Sequence, residues 1–250
     1  MANIKVAVWN RSTVLCDAVV SAVVPTLQAQ VRRDFAPIWG VDADLTFVPK
    51  AQRPTTGLWW LVVTDNSDVA GALGYHELTP EGLPLGLVFA ATDQRVGLQW
   101  TVTASHELIE MLGDPDMNLY GFSQARGNAG TFYAYELCDQ CELDEQGYQI
   151  NGVRVSDFVC PEWFEGFRAP GSTRFDYCNL IERPFQLLPG GYSIVLEVPS
   201  GLGWYQISEP APLGTRTRKE QPPLGGRRER RMRTRDQWRR SKICNSARLA

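Results

Sequence analysis

The charge of this 250-residue chain is divided at Thr215, and the division decides which part can build a core. Residues 1–215 hold 12 Lys/Arg and 25 Asp/Glu, a net charge of −13, whereas residues 216–250 hold 13 Lys/Arg and 3 Asp/Glu, a net +10. The overall −3 conceals both. From Arg216 to Arg240 there are almost no apolar residues to bury, so this stretch is expected to be a disordered basic tail. Its arginines suit contact with nucleic acid or another anionic surface through counterion release, or docking on the acidic body. No linker composition precedes Pro210. One domain over residues 1–210, followed by a tail over 211–250, is therefore the expected organisation.

The longest apolar stretches, such as Leu83 to Ala91, fall far short of the roughly 20 residues that span a bilayer, so no membrane insertion is expected. The start of the chain lacks the basic head, apolar core and small-residue cleavage site of a secretory signal, and the expected location is the cytoplasm. Six cysteines, at 16, 138, 141, 160, 178 and 244, leave the compartment open. Cys138-Asp-Gln-Cys141 has the spacing of a metal knuckle, but no second CxxC follows. These two are read as buried thiols or a disulfide pair rather than ligands.

Periodicity gives a coarse plan. Ile4 to Trp9 alternates like a strand, and Ser12 or Thr13 can cap a helix carrying Val14, Val19, Val23, Leu27, Val31 and Phe35 at helical spacing, with Gly40 ending it. Asp44 to Val48 and Leu58 to Thr64 read as strands, the second so apolar that it belongs in the middle of a sheet. A strand through Leu85 to Ala91 precedes a long helix from about Leu98 to Gly113, stopped by Asp114-Pro115. The order is β-α-β-β-β-α. Beyond it, Gly121 to Gly130 reads as a loop and Phe132 to Cys138 as a strand. Tyr148 to Val155 is a hairpin turning at Asn151-Gly152, and Pro184 to Val198 reads as another around Gly190-Gly191. The class is α+β, with an irregular, β-rich back half.

The sharpest chemical feature lies in the second helix, Ser105-His106-Glu107-Leu108-Ile109-Glu110-Met111-Leu112-Gly113-Asp114-Pro115-Asp116. Positions four apart lie one turn above each other, so His106 and Glu110 can offer a nitrogen and a carboxylate to one cation. Glu107, rotated by about 100°, can take a proton from a water there as general base. A third ligand must come from elsewhere. Glu136 and Asp139, 26 and 29 residues after Glu110, are the best sources: Glu136 as ligand, Asp139 as ligand or as support for an imidazole N–H. Asp114 also shares the His106 face if helical geometry persists, or else serves the turn that ends the helix. His76 is the only other histidine. Near a turn it reads as structural, with polarisation of a substrate carbonyl as its alternative.

These residues resemble the front half of zincin-type metallopeptidases, in which an HExxH helix lies beneath the edge strand of a sheet. The likeness covers Ile4 to Glu142, and the second histidine of that motif is Glu110 here. It implies a zincin-like domain in which residues 73–91 supply the strand lining a peptide or protein cleft. It also implies hydrolysis by a metal-activated water. Gly113 and Asp116 fall where the extended HExxHxxGxxH/D pattern has its glycine and third ligand, making Asp116 a runner-up. A closer likeness is to proteins with SHExxE, a D-P step and an E-x-x-D-x-C segment, here Ser105–Glu110, Asp114-Pro115 and Glu136–Cys141. The expected cofactor is a divalent metal, zinc first, with Mn, Fe, Mg or Ca favoured by the carboxylates. The competing expectation is a non-catalytic structural or binding protein braced by such an ion.

Overall fold

The computed structural model describes residues 4–68, 72–124, 127, 129–200 and 203–212. The nucleic-acid or anionic-surface role expected for residues 216–250, and the disorder expected there, lie outside the described residues. Among them no helix is long and apolar enough to cross a membrane.

The fold is α+β with two main sheets. In the first, β1 (Ile4–Asn10), β2 (Ala43–Val48), β3 (Trp59–Thr64), β4 (Gly74–Leu78) and β5 (Pro84–Phe89) are ordered β2-β1-β3-β5-β4. The most apolar strand, β3, takes the middle place that its composition predicts, with Leu61, Val62 and Val63 buried. Four strands run parallel, and β4 closes one edge antiparallel to β5, pairing His76 with Gly86. This strand is additional to the β-α-β-β-β-α order.

The first helix is α1 (Asp17–Ala29), continued by a π-helical turn (Gln30–Phe35) and the short α2 (Ala36–Trp39). It starts later than Ser12 or Thr13 because Asp65 occupies both residues. Its carboxylate accepts hydrogen bonds from the Ser12 and Thr13 hydroxyls and from the Thr13 backbone N–H. Burial opposes ionisation of Asp65, but these bonds prevail and pull its carboxyl down to about 2. Gly40, at φ 70°, ends the helical run, as expected of a left-handed C-cap. Val20, Leu27, Val31 and Phe35 enter one core with Leu108, Met111 and Leu112 of α4 (Trp100–Gly113). Between β5 and α4 lies α3 (Ala90–Val96), so the β5 strand stops at Phe89 rather than Ala91. Asp65 again explains the stop, since its carbonyl accepts the N–H groups of Ala91 and Thr92.

The second sheet, β11-β10-β7-β6, is built from β6 (Tyr120–Gln124), β7 (Gly130–Ala134), β10 (Tyr192–Val198) and β11 (Trp204–Ser208). Two expectations change here. The segment read as a loop contains β6, whose Gly121 sits where a Cβ would strike Phe164 at 2.7 Å. The hairpin expected around Gly190-Gly191 is absent from the described residues: β10 starts after these glycines and pairs with β7 and β11. By contrast, β8 (Tyr148–Ile150) and β9 (Val153–Val155) form the expected hairpin, with Asn151 and Gly152 both at positive φ as a type I′ turn requires. Cys138, Cys141 and Cys160 are buried free thiols.

The irregular stretch after β9 is ordered by two buried acids. Asp157 accepts the backbone N–H groups of Phe158 and Cys178, and Asp176 accepts those of Leu180 and Ile181. Burial, and then a hydrogen bond with Asp176, push the Asp157 carboxyl well above its ordinary value of 3.8. Above 3.8 the folded chain therefore keeps a proton that the unfolded chain releases. This contribution to stability is fully present below that value and is lost as pH rises through the folded pKa. Asp157→Asn keeps an oxygen for the two N–H groups and a donor for Asp176. Melting temperatures measured against pH should fall less steeply for this variant than for the parent as pH rises from 3.8; parallel curves would reject the assignment.

Candidate metal centre

Helix α4 is buried along almost its whole length, from Trp100 to Leu112. Polar side chains inside such a helix need partners at each turn. Thr101 Oγ1 donates to the Arg154 carbonyl, Thr103 Oγ1 bonds Asp93, and Ser105 Oγ accepts the Ser156 N–H at 2.6 Å while donating to Val102. One side of the helix is thereby stapled to β9 and the segment after it. The Glu107 side faces the first sheet, where the chain has removed side chains to admit it. A Cβ on Gly74 would lie 2.7 Å from Glu107 Oε1, and one on Gly86 would lie 3.5 Å from Glu107 Cβ.

The two sides meet at Glu110. Its Oε1 accepts the Cys138 N–H at 3.2 Å, while Oε2 lies 3.3 Å from His106 Nε2 and 3.4 Å from His76 Nδ1. Asp139, in a single 3-10 turn (Asp139–Cys141), places Oδ1 3.2 Å from the same His106 nitrogen. Glu136 Oε2 is 4.0 Å from His76 Nε2, and Glu107 Oε2 is 3.5 Å from His76 Nδ1. None of these six residues exceeds 4% exposure.

The spacings are compatible with two kinds of site. Imidazole and carboxylate that share a proton in a strong hydrogen bond approach to about 2.7–2.9 Å. Donors bonded at about 2.1 Å to one ion stand about 3.0–3.4 Å apart across its cis edges. The His106–Glu110 and His106–Asp139 separations, 3.3 and 3.2 Å, suit either long hydrogen bonds or donors set about one ion. The donors group as His106–Glu110–Asp139 and His76–Glu110–Glu136, sharing Glu110. Without a cation, burial would lower the His106 pKa, but the charge of Glu110 and hydrogen bonds to Asp139 and Glu110 override it and hold the imidazole well above 6.5. A proton then does part of an ion's work. Burial pushes the Cys138 and Cys141 thiols well up, and neither belongs to either triad.

Of the expected site residues, His106, Glu110 and Asp139 come together, with Asp139 rather than Glu136 beside His106. Glu136 joins the same cluster through His76. Glu107 belongs to neither triad but borders the second. Asp114 serves the turn: its two oxygens accept the N–H groups of Asn118 and Leu119, each at 3.0 Å. Asp116 is exposed and belongs to neither triad. His76, read as structural, is 1% exposed, lies within 4.0 Å of Glu107, Glu110 and Glu136, and belongs to the second group of donors. Strand alternation could have found it, because Gly74 and His76 lie two apart on the inward face of β4.

The segment carrying Glu136 and Asp139 has no regular structure of its own beyond one turn. It is tied by the Val159 N–H to Leu137 and by the Leu188 N–H to Gln140. Leu137 in turn fills the space above Gly113, where a Cβ would clash. No family model, curated protein or solved structure matches this chain.

Gly74→Ala tests the cradle under Glu107. The new methyl meets Glu107 Oε1, Thr103 Cγ2 and the Leu87 carbonyl at 2.7–2.8 Å, and a backbone atom cannot swing aside. Urea unfolding should show a loss of about 1–3 kcal/mol, as overpacking of a filled interior does. A loss under about 0.5 kcal/mol would show that Glu107 does not occupy this space.

Proposed function

We propose that the protein is a metal-dependent hydrolase whose substrate is a peptide or protein. His106, Glu110 and Asp139 hold one divalent cation, and Glu107 is the general base. The observation that carries this reading is that Glu110 Oε2 and Asp139 Oδ1 lie 3.3 and 3.2 Å from His106 Nε2, with Glu107 next to His106 on the helix and outside the triad. A divalent ion bound there supplies a water of lowered pKa and an electrophile for a substrate carbonyl. Glu107 accepts the proton of the attacking water at Oε2 and returns it to the leaving amine. The glycine cradle at positions 74 and 86 leaves room for that side chain. Cys138 N–H fixes Glu110 so that Oε2 points at the imidazoles.

One imidazole with two carboxylates is a harder donor set than one made mainly of imidazoles, and it widens the choice from zinc to Mn, Fe, Mg or Ca. The added negative charge also makes the ion a weaker Lewis acid. The likeness of the helix motif to zincin-type peptidases supports hydrolysis of an amide.

Burial favours a second reading. Donors exposed by 4% or less leave little room for a peptide, as expected of an ion that braces α4 against the back half. The two readings separate in one set of measurements on the full chain. Glu107→Gln should keep the parent's zinc or manganese content while losing about 10²–10⁴-fold in cleavage of a peptide library. His106→Ala combined with Glu110→Ala should lose the metal. Cleavage by Glu107→Gln at the parent's rate would reject the base. Metal content unaffected by the double substitution would reject the centre. A parent that binds metal, gains thermal stability from it and cleaves nothing would establish the brace.

A further inference from the structure

We infer that the cluster is a two-ion centre. A second divalent cation is held by His76, Glu110 and Glu136, and Glu110 bridges it to the first through a single oxygen. The inference rests on the first ion proposed above and extends it to the edge strand.

Three observations support it. The donor atoms fall into two triads whose shared member is Glu110, and its Oε2 is nearly equidistant from the two imidazoles, at 3.3 and 3.4 Å. Oε1 accepts the Cys138 N–H, and Oε2 is the oxygen that lies between the two histidines. The charge of the set points the same way. Glu107, Glu110, Glu136 and Asp139 bring −4 when ionised. Two divalent ions would offset these four carboxylates. Thirdly, Glu107 Oε2 is buried, accepts no hydrogen bond, and lies 3.5 Å from His76 Nδ1, aimed into the second triad.

The edge strand is built for this task. His76 pairs across β4 and β5 with Gly86, and the missing side chain there lets the imidazole and Glu107 share one layer between sheet and helix. Two ions bridged by a carboxylate stand about 3.5–4 Å apart in hydrolytic centres, and such a pair can clamp both the attacking and the leaving group. With one imidazole per ion and the rest carboxylate, the second position suits Mn(II) or Fe(II) at least as well as Zn(II).

The test is titration of the metal-free full chain with Mn(II), followed by equilibrium dialysis with elemental analysis and by electron paramagnetic resonance. The parent should bind two Mn(II) per chain and, at two equivalents, give the multiline signal of an exchange-coupled pair. His76→Ala and, separately, Glu136→Gln should each bind one Mn(II) and show the six-line spectrum of an isolated ion. One Mn(II) per parent chain, uncoupled and unchanged in both variants, would overturn the two-ion centre while leaving the single-ion hydrolase standing. No bound Mn(II) or Zn(II) in the parent would remove the proposed function as well. Two ions per parent chain without exchange coupling would overturn the Glu110 bridge.

Discussion

Six ionisable side chains are packed out of water around one turn of α4, and the surrounding structure is arranged to make that tolerable. A carboxylate withdrawn from water costs several kcal/mol unless charge or hydrogen bonds compensate it. Four of them within reach of two imidazoles can be held only if the helix, the edge strand and the 136–141 segment keep fixed positions. Glu110 is where these requirements meet. One of its oxygens is tied to backbone, and the other is turned toward both histidines.

The fold supplies that rigidity from two directions. On the sheet side, glycines at 74 and 86 let β4 and β5 press onto α4 more closely than any larger residue would permit. On the other side, Ser105 is bonded to Ser156 and Thr101 to Arg154, while Val159 and Leu188 hold the irregular segment by its carbonyls. The acids of the 136–141 segment are therefore fixed by backbone bonds, as those of the helix are by its own. This arrangement suits a site whose donors must wait in place for a cation.

Much of this was legible in the sequence. The apolar run Leu58–Val63 marks the sheet centre, Asn151-Gly152 fixes a hairpin, and His106 and Glu110 announce themselves by a four-residue spacing within one helix. What was illegible depended on distant partners. Asp65 moves the start of α1 and the end of β5 through bonds to residues far from it in the chain. The strand β6 exists because β7 pairs with it, and its short Tyr-Gly-Phe-Ser-Gln sequence carries no apolar run of its own. His76 lies 30 and 60 residues from His106 and Glu136, so no local spacing connects them. Conversely, Asp114 satisfied the helical arithmetic but not the geometry, because the helix ends at Gly113 and the carboxylate turns to cap the next backbone groups.

The central claim is that cations, rather than protons shared between imidazoles and carboxylates, neutralise this cluster. Crystals of the full chain grown with Mn(II), with diffraction recorded above and below the manganese absorption edge, test it most directly. Anomalous density is expected between His106 Nε2, Glu110 Oε2 and Asp139 Oδ1. A cluster without such density, in which the imidazoles close onto the carboxylates at hydrogen-bonding distances of about 2.7–2.9 Å, would contradict it.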